Sequence, residues 1–127
     1  MYAAQQLNAY KNVQRTTESV REIEALVLTK AAVMLTEIQR NWDASDRDAK
    51  LDEALRNNQM IWSIFQGELM KPDNPLPKQL KQDILSLSTF IDKRTFEVMA
   101  MTQPAPEKLD IIINLNLNLA AGLRMQS

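Results

Sequence analysis

The stretch IIINLNLNLAAGL, residues 111–123, can be wound in two ways, and the choice sets the fold class. From Ile113 to Leu119 apolar and polar residues alternate without a break, which is the period-2 pattern of a half-buried strand. Wound at helical pitch, Ile111, Leu115 and Leu119 fall within about 80° of one another, and Ile113 and Leu117 lie nearly opposite. Leu109, Ile112, Ala120 and Leu123 extend the apolar arc to roughly 240°, leaving Asn114 and Asn118 as a polar strip and Asn116 inside the arc. A lone seven-residue strand has no neighbour in sequence to pair with, and an unpaired strand is not stable. The stretch is therefore expected to be a helix that needs apolar cover on more than one side.

The rest of the chain agrees with helices. Only 2 glycines occur in 127 residues, too few for a set of hairpins. The first segment, residues 2–15, places Leu7, Tyr10 and Val13 at steps of three, as a short amphipathic helix would. Ser19-Val20-Arg21-Glu22 then matches a capping box and predicts the start of a second, long helix running to Trp42. Its core stripe is expected to be Ile23, Val27, Ala31, Met34, Leu35, Ile38 and Trp42, widened by Leu26, Leu28 and Val33. After the polar turn WDASDRD, the next helix runs from about Asp48 to Met70, with Leu51, Leu55, Asn58, Trp62, Phe65 and Leu69 on one seam. KPDNPLP breaks the chain, because three prolines in six positions cannot continue a helix. Pro77 is placed in the first turn of the following helix, which carries Leu80, Ile84, Leu87, Ile91 and Val98 to about Met101. The last helix starts near Pro106-Glu107. The expected architecture is one all-α domain over residues 1–127, a bundle of four long helices plus a short N-terminal one.

Composition narrows the function. The chain has no His and no Cys, and so lacks the commonest general base, metal ligand and best nucleophile. It is not expected to be an enzyme or to hold a cofactor or metal. A net charge of −1 gives no support to nucleic-acid binding. The only candidate basic surface is Arg15 and Arg21 with Lys78, Lys81, Lys93 and Arg94, diluted by nearby acids. No apolar run is long enough to span a bilayer, and no secretory signal is visible, so a cytoplasmic location is expected.

Two groups of residues stand apart from a simple core. Asn58 and Asn116 lie in apolar faces, where a buried amide must find a partner; they fix packing register or recognise another backbone, and the two can pair with each other. Met60 and Ile64 lie opposite the seam of their helix. With Leu85, Phe96, Ile113 and Leu117 they supply more apolar surface than one four-helix core requires; they are candidates for a partner or homodimer surface, or equally for cover by the short N-terminal helix.

Several motifs resemble those of one family in order and spacing. They are Ser19-Val20-Arg21-Glu22-Ile23-Glu24-Ala25; Glu53-Ala54-Leu55 with Asn58, Trp62 and Phe65; Pro72-Asp73-Asn74-Pro75-Leu76-Pro77; and Asn116, Asn118 and Ala120-Ala121-Gly122-Leu123. Together they resemble the flagellar biosynthesis regulator FlaF of alphaproteobacteria over essentially the whole chain. Leu117 departs from the family pattern, which is usually polar or charged there. The resemblance implies a cytoplasmic, non-enzymatic protein needed for flagellin production and filament assembly. It would bind flagellin as an export chaperone does and act with the regulator FlbT. The alternative is a post-transcriptional regulator that contacts flagellin mRNA directly or only as a complex with FlbT.

Overall fold

A computed structural model describes the backbone of residues 2–125, with side chains described from Val20 onward. It is all-helical: α1 spans Tyr2–Arg40, α2 Arg47–Leu69, α3 Lys78–Ala100 and α4 Asp110–Met125, with a 3₁₀ turn at Pro106–Leu109 leading into α4. No strand occurs among the described residues. The stretch that alternates in sequence is α4.

The expected short N-terminal helix and the helix expected from Ser19 are one element of 39 residues. A capping box requires its Ser to leave helical geometry, and nothing upstream forces that: the first glycine is Gly67 and the first proline Pro72. Bundle architecture is thus four α-helices, with no separate fifth. Pro77 is also displaced by one position, acting as the N-cap of α3 in extended geometry and lying outside its first turn.

Helix α1 packs most extensively on α4, then on α2; α2 packs on α3, and α3 touches α4 only sparsely. The α1–α4 pair is antiparallel. At one end Gln39 Nε2 donates to Asp110 Oδ1 at 2.7 Å and to the Pro106 carbonyl at 2.8 Å. At the other, Arg124 lies 3.4 Å from Glu22, so residues 2–19 continue α1 beyond the level where α4 ends. The buried apolar face of α1 is Ala25, Leu28, Ala31, Ala32, Leu35 and Ile38. Small side chains let helix axes approach closely, which explains why three alanines share that face while Ile23, Leu26, Val27 and Val33 do not. Ile23 and Val27, expected in the core, are exposed, as are Leu26 and Val33.

The α2 seam is buried in full: Leu51, Leu55, Asn58, Trp62, Phe65 and Leu69. On α3, Ile84, Ile91 and Val98 are buried, with Ser88 and Thr95 between them. Both hydroxyls bond carbonyls of their own helix, Ser88 to Leu85 and Thr95 to Ile91, and Gln66 of α2 donates to Ser88 Oγ at 2.8 Å. Turns are fastened by side chains. Arg47 stacks on the Trp42 ring at 4.5 Å and donates to the Trp42 carbonyl. In the proline loop, Asn74 donates to the Glu68 carbonyl and accepts from the Leu76 amide, while Leu76 itself is buried.

Candidate partner surface and its polar core

The centre of the bundle holds a polar cluster. Asn116 of α4 accepts from Trp62 Nε1 at 2.9 Å, donates to Asn58 Oδ1 at 2.6 Å, and reaches the Leu28 carbonyl of α1 at 3.3 Å. Asn58, Trp62 and Asn116 are fully buried. One asparagine therefore ties α4 to both α1 and α2, and the two amides expected in apolar faces do pair. Asn58 Nδ2 has no hydrogen-bond partner among the described residues. Buried hydrogen bonds carry direction as well as energy, and a cluster of this kind fixes the register of packed helices. Nothing in it faces outward, so it is a device of the fold and not a contact surface.

The six apolar residues singled out as a surface separate in the structure. Met60, Ile64, Phe96 and Leu117 are exposed. Leu85 is half-buried against the core. Ile113 is buried at 8% exposure while Leu117, one turn on, is 41% exposed. Ile113 thus leaves the candidate surface, because α4 turns that position toward the interior. The remainder do not form one patch: Phe96 belongs to α3, Leu117 to α4, and Met60 with Ile64 to α2.

Ile64 has an apolar neighbour on α1. Val20 of α1 lines one depression, of about 130 Å³, together with Ile64. Val20, Ile23 and Val27 are all exposed. Val20, Val27 and Met34 recur every seven residues and so lie along one edge of α1. Toward the other end of the bundle, Met34 and Ile38 of α1 meet Lys50 and Glu53 of α2 in a depression of about 530 Å³. Exposed apolar side chains thus line both helices, and Val20 and Ile64 meet across the edge between α1 and α2. A signal for it existed in the sequence, since α1 carries an apolar arc too wide for one buried stripe. Which half faces inward depends on the alanines.

A separate apolar cleft of about 210 Å³ lies between α3 and α4, lined by Leu80, Ile84, Leu87, Leu115 and Leu119. Leu80, Leu87 and Leu115 are already half-buried and Leu119 is buried.

Charged groups add one buried feature. Arg21 is 5% exposed and ion-pairs with Glu24 one turn on. Burial pushes the Glu24 carboxyl above its ordinary value; the Arg21 charge pulls it down, and nearby Glu68 raises it further. This removes Arg21 from the candidate basic surface, and Arg94 is half-buried beside Glu97 and Phe90. The Arg15 side chain lies outside those described. Among the described residues no group of acidic side chains could hold a metal ion, and no helix is long and apolar enough to cross a membrane.

The sequence model of a family described as flagellar protein FlaF matches residues 6–123. No curated protein and no solved structure matches the chain.

Proposed function

The chain belongs to the flagellar protein FlaF family, and on that premise we propose that it is a cytoplasmic, non-enzymatic binding protein for flagellin. It would promote flagellin production and filament assembly by holding the unassembled subunit before export, and would act with FlbT. Flagellin ends are amphipathic helices that stay unpacked until assembly, and a helix of that kind needs an apolar receiver. The observation that carries the reading is the number of large apolar side chains that α1 and α2 leave in water, two of which, Val20 and Ile64, meet across the edge between the helices. Val20, Ile23, Val27, Met60 and Ile64 are each exposed by more than a third, and contiguous exposed apolar surface marks binding sites. Calorimetry with purified protein and flagellin tests it: saturable binding is expected, and its absence refutes the reading. Co-expression with FlbT followed by size-exclusion chromatography with mass determination tests the second partner.

A further inference from the structure

We propose that the edge between α1 and α2 is the groove that receives this client, as a single amphipathic helix of about 18 residues whose basic end lies over Glu37 and Glu53. The proposal rests on the helical-client reading above and adds to it a surface and a polarity. Two rows of side chains wall the groove. Val20, Val27 and Met34 form the α1 row; Ile64, Met60 and Glu53 form the α2 row, at steps of four and seven that keep them on one edge. The rows face each other at both ends, where Val20 shares a depression with Ile64, and Met34 shares one with Glu53. The two depressions lie at the ends of the stretch of α1 from Val20 to Ile38, about 27 Å at helical rise, the length of an 18-residue helix.

Charge selects the occupant. At the wider end, Lys50 pairs with Asp46 and Arg47 with Asp48, whereas Glu37 and Glu53 have no ion-pair partner among the described residues. At the narrower end, Arg21 is taken by Glu24 and Lys71 by Glu68. Uncompensated charge at the wide end is therefore negative, and Lys30, exposed midway along α1, has no ion-pair partner among the described residues. A second copy of this chain would bring the Glu37–Glu53 end against itself, acid on acid, or against the narrower end, where the bases are already paired and Asp73 beside Val20 adds a further acid. A client helix with lysine or arginine at one end meets no such opposition.

The test uses the full chain and three probes: flagellin, an 18-residue amphipathic helical peptide ending in lysines, and the same peptide ending in glutamates. Met60→Glu with Ile64→Glu should weaken flagellin and lysine-peptide binding at least tenfold. Phe96→Glu, equally exposed but on α3, should leave both unchanged. Glu37→Lys with Glu53→Lys should invert the preference between the two peptides. If flagellin binds wild type and the Met60/Ile64 variant equally, the groove is wrong and the flagellin reading stands. If the lysine peptide binds through the groove but flagellin does not bind at all, the flagellin reading fails and the groove stands. Failure of all three probes overturns both. A dimer seen by light scattering that Met60→Glu dissolves would show the occupant to be a second copy and overturn the proposal.

Discussion

Replacing Asn116 with alanine should destabilise the bundle far more than the same change at Asn58, although both side chains are fully buried. Asn116→Ala removes an acceptor for Trp62 and a donor to Asn58. The Trp62 N–H is then stranded, and Asn58, whose Nδ2 already has no partner, is left with its whole amide unpaired. Each stranded buried group costs about 1–3 kcal/mol, so the loss should be about 3–5 kcal/mol once a small void is included. Asn58→Ala strands one N–H of Asn116, which still reaches the Leu28 carbonyl, and it removes a nitrogen that had no partner; about 1–2 kcal/mol is expected. The double variant should then be little worse than Asn116→Ala, because the amide that would have been stranded is gone. The coupling is expected at about 1–2 kcal/mol, with the pair less destabilising than the sum. Urea denaturation of the four proteins, followed by circular dichroism at 222 nm, measures it. Additivity within about 0.5 kcal/mol, or an Asn58 effect equal to that of Asn116, would refute the cluster as drawn.

Ile113→Ala should cost about 2–4 kcal/mol by emptying a core position, while Leu117→Ala should stay within about 1 kcal/mol; thermal melts compare them directly. Gly67 and Gly122 are helical and an added Cβ meets nothing within 4 Å, so each glycine-to-alanine change should raise stability by about 0.5–1 kcal/mol in the same assay. Glu24 has a folded-state pKa above its ordinary 4.5, so between those two values the folded chain binds more protons than the unfolded one and this group's contribution to stability falls as pH rises. Glu24→Gln, which mimics the protonated form, should therefore flatten that part of the stability profile and be tolerated at pH 7 despite losing the ion pair with Arg21. A loss of more than about 2 kcal/mol at pH 7 would show that the ion pair outweighs its burial.

The seam of helix α2 could be read from sequence because its six residues keep one continuous arc, with Met60 and Ile64 set apart on the opposite side, although Ala54 and Ile61 are buried beside it as well. Helix α1 could not, because it has two. Ile23, Val27, Leu26 and Val33 are bulkier than Ala25, Ala31 and Ala32, and greater apolar bulk points to the wrong face when close approach to α4 is what selects the small side chains. Its start was misplaced for a related reason: Ser19 and Glu22 satisfy a local capping pattern, but a cap forms only if the helix has cause to end there. Ser88 and Thr95 were missed because a hydroxyl bonded to its own helix carbonyl can be buried without any partner that sequence would show. The candidate surface was half legible. Met60 and Ile64 were visible as residues off the α2 seam, whereas on α1 Val27 and Met34 were hidden inside an expected core stripe and Val20 inside an expected cap.

The alternation in α4 shows how polarity and burial can come apart. A strand would place Ile113, Leu115, Leu117 and Leu119 on one face and the asparagines on the other. As a helix in this bundle, α4 buries Ile113, Asn116 and Leu119, half-covers Leu115, and exposes Leu117 with Asn114 and Asn118. The buried member that looks wrong by polarity, Asn116, is the one with three partners on two other helices. The exposed member that looks wrong, Leu117, lies one turn beyond Ile113, where the cover over that side of α4 gives out. A period-2 pattern is thus compatible with a period-3.6 fold when one polar residue has a directed role inside and one apolar residue has none. Hydrogen-bond capacity, more than hydropathy, decides which position of α4 meets the centre of the bundle.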